Sequence, residues 1–210
     1  MQKTQILTSE LFASAGELLA AAFSSNPAHV YICPNADTRY EQLKWLLGGN
    51  LRAQRDLSAS FCLTAGGMVN AMGFWTHSES PSSGLIRQVR AGLLLAPVHL
   101  GRAGIRRMFE VTSSVEGHLE SALSGQPHWY LNNMVVGEEL RGQGIGTELL
   151  YSEIQKISRL RPGTPIALST QRERNVVFYQ RAGFEVKFSA IVGSGSQRFQ
   201  NWTMSREPGE

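Results

Sequence analysis

Apolar and polar residues alternate along this chain with a period that changes from segment to segment. Residues 7–23 carry apolar side chains at helical spacing behind an N-cap at Thr8 or Ser9, and Asn26-Pro27 stops the pattern. A second helix is predicted over 38–53, with Tyr40, Leu43, Leu47 and Leu51 on one side and Gly48-Gly49 as a weak point in its continuity. Two short apolar runs, 61–64 and 68–75, flank Ala65-Gly66-Gly67 and read as an antiparallel hairpin. After a polar loop at 78–83, the stretch 85–123 returns to helical patterning, with breaks near Pro97 and Gly101, and predicts two or three helices.

The second half reads as strand 129–136, a glycine-rich turn, helix 145–160 and strand 166–170. A short helix over 175–182 ends at Gly183, and strands follow at 184–191 and 198–204, joined by the flexible Gly193-Ser194-Gly195-Ser196 segment. Together these predict one α/β domain of the α+β kind over residues 1–206, with a helical insertion around 84–124 and a frayed tail at 207–210.

Composition narrows the function classes. A 210-residue chain with 42% hydrophobic and 18% charged residues is ordinary globular material. The net charge of +3 and pI near 9.1 suit an anionic ligand, while no run of Lys and Arg interleaved with aromatics marks a nucleic-acid track. Glu10 and Glu17 interrupt the early apolar stretch, no basic n-region precedes it, and no apolar window reaches a membrane-spanning length, so a soluble protein is expected. Two cysteines outside any CxxC or Cys/His cluster suggest a reduced cytoplasmic setting. His29, His77, His99 and His118 lack metal-ligand spacing, and no metal is expected.

The turn between strand 129–136 and helix 145–160 carries the chemistry. Arg141-Gly142-Gln143-Gly144-Ile145-Gly146 brings a strand straight into a helix, so unpaired N–H groups and the positive helix end converge there, and Arg141 or Thr147 can add a donor. A tight turn packed against the sheet is the plainer reading of the same glycines. A P-loop would need Gly-Lys-Ser/Thr, and a dinucleotide fingerprint would need a third glycine where Thr147 stands; neither fits.

The pattern that fits is Arg-x-x-Gly-x-Gly. Met134-Val135-Val136, Gly137-Glu138-Glu139-Leu140, Arg141-x-x-Gly144-x-Gly146, and then Asn175-x-x-x-Tyr179 ahead of Ala182-Gly183-Phe184 resemble, in that order, the GNAT acetyltransferase superfamily. The helical insertion and the His128-Trp129-Tyr130-Leu131 entry look like its branch of puromycin-type antibiotic acetyltransferases. The resemblance implies a mixed, mostly antiparallel sheet with splayed central strands flanked by helices, and acetyl-CoA as acyl donor. It places pantetheine along Met134, Val135 and Val136, as an added strand would lie. It places the pyrophosphate on Gly142, Gln143, Gly144, Ile145, Gly146 and Thr147 with Arg141 beside it, and Asn175 on the pantetheine arm.

Chemically, such an enzyme lets a neutral amine attack the thioester and needs a donor for the departing thiolate. Tyr179 is the expected general acid; amphipathic packing is its alternative role. Many family members carry an acidic base early on the central strand, and this strand has none. Strict alternation groups His128, Tyr130, Asn132 and Met134 on one face, which makes His128 the candidate base, with a plain strand-start residue as the alternative. Phe23, Tyr31 and Trp75 are candidates to line the pocket of a small-molecule or peptide amine, or are core aromatics. A homodimer is compatible with the sequence. A CoA-binding module without transferase activity is the competing function.

Overall fold

A computed structural model describes residues 4–54, 57–80 and 92–209. Its centre is a six-stranded sheet in the order β1-β2-β3-β4-β6-β5, formed by β1 (Ser60–Ala65), β2 (Met68–His77), β3 (Trp129–Val136), β4 (Ile166–Thr170), β5 (Glu185–Val192) and β6 (Phe199–Arg206). Every neighbouring pair is antiparallel except β3 and β4. The expected sheet, mixed and mostly antiparallel, is therefore present.

One face carries α1 (Phe12–Phe23), α2 (Pro27–Ile32), α3 (Ala36–Ala53) and α4 (Ala96–Leu123), whose apolar sides meet Cys62, Met72, Phe74 and Val135. The other carries α5 (Ile145–Leu160) and α6 (Glu173–Gln180), which close on Phe61, Trp75, Trp129, Leu131 and Leu168. Strand alternation explains the division, since successive side chains enter opposite layers.

Several local expectations change. Asn26-Pro27 ends α1 and also starts α2, because the Asn26 carboxamide accepts from the backbone N–H of Ala28 and His29 with Pro27 behind it in the first turn. Neither Thr8 nor Ser9 caps a helix through its side chain; a 3-10 turn at Ser9–Leu11 leads into α1. Gly48-Gly49 does not break α3. Gly16 and Gly48 meet where α1 and α3 cross, and a Cβ on Gly16 would stand in ordinary contact, 3.5 Å from Gly48 Cα. The segment expected as two or three helices does hold two helical pieces: α4 starts with Pro97 in its first turn and is interrupted at Gly101, whose φ of 65° and ψ of 170° are not helical; residues 84–91 of the expected insertion lie outside the described residues.

Candidate functional site

The sheet opens at its middle. β3 and β4 pair only at Trp129↔Ile166 and Tyr130↔Ala167, after which β4 continues on β6 while β3 continues on β2. Residues 131–136 of β3 thus turn an unpaired edge into the interior of the fold, a place where an extended molecule can add itself as a strand.

Within that edge Asn133 takes φ 48°, and the β2–β3 register slips between Met72 and Phe74. Such a bulge reverses the alternation beyond it. Met134 and Val136 therefore join Trp129 and Leu131 on the α5–α6 side, while Val135 packs on the helical layer opposite. This corrects the expectation that Met134 shares a face with Tyr130 and Asn132. Asn is one of the few residues that tolerates this backbone region, and the bulge sits beside the opening.

At its far end β3 leads through Gly137 and a 3-10 turn into the glycine segment. Gly142 (φ 77°) and Gly144 (φ 80°) both occupy the left-handed region, and nothing lies within 4 Å of a Cβ on either, so backbone conformation rather than crowding requires glycine there. Gly144 precedes α5 without any side-chain cap. Thr147 and Glu148 donate to the Gly144 carbonyl, whereas the N–H groups of residues 142–146 meet no acceptor among the described residues. Arg141 Nε donates to the Val136 carbonyl at 3.1 Å and Gln143 Nε2 to the Glu139 carbonyl at 2.7 Å, which fixes the turn while residues 141–144 stay exposed. This is an anion cradle in backbone form.

Two further guanidinium groups lie at the start of α6, Arg172 at its N-cap and Arg174 in its first turn, and do not stand out in the sequence. The Arg172 pKa is lowered by burial and by the charges of Arg174 and Arg141, so Arg172 feels both of the other cations. None of the three has a carboxylate within ion-pair distance among the described residues. The available signal is the spacing Arg172-x-Arg174 directly ahead of Asn175. Unneutralised positive charge beside free N–H groups suits a ligand bearing several phosphates.

Asn175 and Tyr179 both sit on α6. Asn175 Nδ2 donates to Thr170 Oγ1 at 3.1 Å, tying the helix to the end of β4. Tyr179 is buried between Phe178 and Phe184, ring centroids 5.0 and 5.7 Å away, and its hydroxyl bonds to no group among the described residues. Burial, reinforced by Tyr130, pushes this phenol far above its ordinary value. Tyr130, the last β3 residue paired with β4, is likewise raised by burial, with Ser169 opposing. Both phenols hold their protons at neutral pH.

His128 stands elsewhere. It precedes the closed end of β3, about 16 Å along the strand from Asn133 at roughly 3.3 Å per residue. There its Nδ1 meets the Gln126 carbonyl at 2.8 Å, and it borders a cavity of about 380 Å³ lined also by Glu79, Glu116 and Glu120. The structure does not bring it to Tyr179 or the glycine turn. Trp75 is also apart: 2% exposed, it packs in the α5–α6 layer, whereas Phe23 and Tyr31 belong to the helical layer on the other face. Phe23 stacks on His29, and Tyr31 donates to Glu110 Oε2 at 2.7 Å. Among the described residues no group of three His, Cys, Asp or Glu is arranged to hold a metal, and no helix is long and apolar enough to cross a membrane.

Comparison with known proteins agrees with this geometry. Residues 102–186, from α4 through the glycine turn to the start of β5, match the model of the acetyltransferase (GNAT) domain. A solved structure named as histone acetyltransferase HPA2 and related acetyltransferase, from Corynebacterium glutamicum, superposes with a TM-score of 0.67 at 19% identity over 99% of this chain and 97% of that one. The polyamine N-acetyltransferase of Drosophila melanogaster gives 0.57 at 13% identity over 98% and 99%. The ribosomal-protein-S18-alanine N-acetyltransferase of Escherichia coli gives 0.57 at 13% over 100% and 96%. The chain has the GNAT fold, and its residues 102–186 carry the match to the GNAT acetyltransferase domain.

Proposed function

We propose that this protein transfers an acetyl group from acetyl-CoA to a primary amine of a small molecule or peptide, by direct attack of the amine on the thioester. The observation that carries the reading is the union of an unpaired β3 edge with the free N–H groups of residues 142–146 at its end. A pantetheine arm fits the first and a pyrophosphate the second. Arg141, Arg172 and Arg174 would neutralise the phosphates, and Asn175 would meet the arm from α6. When bound, acetyl-CoA supplies the activated acyl group.

Tyr179 is the proposed proton donor to the departing sulfur. Its raised pKa keeps the phenol protonated and its hydroxyl is not committed to another group among the described residues. The amine would enter from the face of α1, α2 and α4, opposite the α5–α6 side to which Met134, Val136 and the glycine turn lead. The matched structures are named for polyamine and protein-alanine substrates, which supports an amine as acceptor. The helical segment ahead of β3 supports the branch of puromycin-type antibiotic acetyltransferases.

A second reading is a CoA-binding module that does not transfer. It is favoured by one observation, that β3 lacks a carboxylate and His128 lies at the closed end of the strand. Thiol release from acetyl-CoA across an amine panel separates the two. Amine-dependent release supports transfer; saturable binding without release on any amine supports the module.

A further inference from the structure

A continuous line of side-chain hydrogen bonds crosses the helical face just behind the opening of the sheet. His29 Nδ1 meets Asn26 Oδ1 at 3.1 Å, Asn26 Nδ2 donates to Gln171 Oε1 at 3.1 Å, Gln171 Nε2 donates to Asn201 Oδ1 at 2.8 Å, and Asn201 Nδ2 meets His118 Nδ1 at 3.1 Å. The line joins α2, the end of β4, β6 and α4. Asn26 is 5% exposed and Asn201 is fully buried.

Its direction is not arbitrary. Asn26 Oδ1 caps α2 by accepting from the backbone N–H of Ala28 at 3.0 Å and of His29 at 3.4 Å, which only an oxygen can do. The Asn26 NH₂ must then face Gln171, and each following amide is oriented by the one before it. At one end His29 has to donate through Nδ1, leaving the lone pair on Nε2. At the other end His118 has to accept at Nδ1, leaving its proton on Nε2. Burial lowers both histidines, His29 to about 4, so both rings are neutral near pH 7, as these opposite tautomers require.

Position gives the chain a use. Thr170 and Gln171 are consecutive at the open end of β4. Thr170 bonds Asn175 on the side proposed for the cofactor, and Gln171 bonds Asn26 on the side left for the amine. His29 stacks on Phe23, ring centroids 4.8 Å apart, and no group among the described residues bonds its Nε2.

We propose that His29 Nε2 receives the N–H of the acceptor amine, held in that tautomer by the one-way chain through Asn26, Gln171 and Asn201 to His118. This rests on the acyl-transfer reading above. A neutral acceptor at this point orients a neutral amine and does not repel an arriving ammonium ion. The charged groups around α2 are engaged in other bonds: Arg39 with the Cys33, Ser24 and Pro34 carbonyls, Arg107 with the Ile32 carbonyl, Glu110 with Tyr31, and Arg172 with Ser25.

Two measurements on the full chain test it. Nitrogen-15 NMR of the imidazoles at pH 7 should show His29 protonated on Nδ1 and His118 on Nε2. A proton on His29 Nε2 would overturn the proposal. In steady-state assays with an accepted amine, His29→Phe should lower kcat/KM for the amine roughly tenfold, the loss of one hydrogen bond in a screened site. The acetyl-CoA Kd should be unchanged, and His29→Gln, which keeps an acceptor, should recover part of the loss. An amine kcat/KM within about twofold of wild type in His29→Phe would overturn the inference while leaving the transferase reading intact. A wild-type protein that binds no acetyl-CoA would overturn both.

Discussion

Tyr130 and Ala167 are the last residues at which β3 and β4 pair, and the two strands diverge immediately beyond them. That divergence is built into the partners on either side, because β3 stays on β2 through Val136 while β4 stays on β6 through Thr170. The opening is thus a property of the sheet rather than of a loop, and it is flanked by the two phenols and the glycine turn.

Arg172 and Arg174 should matter for holding a phosphate-bearing ligand. Replacing either with Ala is expected to weaken acetyl-CoA binding about three- to tenfold, as partly screened charge-assisted bonds are lost. The dependence of Kd on ionic strength should flatten in each variant. Calorimetric titration at low and high salt checks both. Because Arg172 Nη2 also donates to Ser25 Oγ at 2.6 Å, its loss should loosen the α1–α2 junction as well, a difference that Arg174→Ala should not show in hydrogen exchange.

Tyr179→Phe should lower kcat by about a hundredfold, the smaller end of general-acid contributions, with little change in acetyl-CoA Kd. With its pKa raised, the wild-type phenol should cause no loss of kcat below the ordinary tyrosine value of about 10. An unchanged kcat in Tyr179→Phe would assign the ring to packing alone.

Glu153 supplies a pH dependence of stability unrelated to catalysis. Its carboxyl is 1% exposed inside the α5 side of the core, with Lys156 Nζ at 3.5 Å, and burial raises its pKa against the opposing Lys156 and Trp75. A folded-state pKa above the unfolded one means that the native protein binds the proton more tightly, so stability falls as pH rises from the unfolded value through the folded one. Glu153→Gln should melt above wild type at about pH 8, and the gap should narrow toward about pH 4. An equal gap at both pH values would contradict this.

The glycine turn, the helix behind it and strands β3 and β4 were legible in the sequence because each depends on local chemistry: helical period, strand alternation, and glycine where φ is positive. The Asn133 bulge was not, since β3 itself carries no glycine or proline there and Gly73 stands on the opposite strand, and it moved Met134 to the other face. Helix α2 was hidden because Asn26-Pro27 serves as a stop and a start at once. Trp75 was grouped with the site by residue type and His128 by strand alternation; the layer order of the sheet shows Trp75 under α5, and the β3–β4 pairing shows His128 at the closed end. The relay from His29 to His118 joins residues far apart in the chain through amides that carry no motif.

Isothermal titration of acetyl-CoA into wild type and Gly144→Ala separates a pyrophosphate cradle from a turn that merely connects β3 to α5. A Cβ at Gly144 meets open space but strains a backbone at φ 80°, at a cost of roughly 1–2 kcal/mol, and so distorts the N–H cradle without removing any side-chain contact. Wild type should bind saturably, and a folded Gly144→Ala protein should show a Kd at least about tenfold weaker. Equal affinities in the two proteins, or no binding to wild type, would contradict a cradle at this turn.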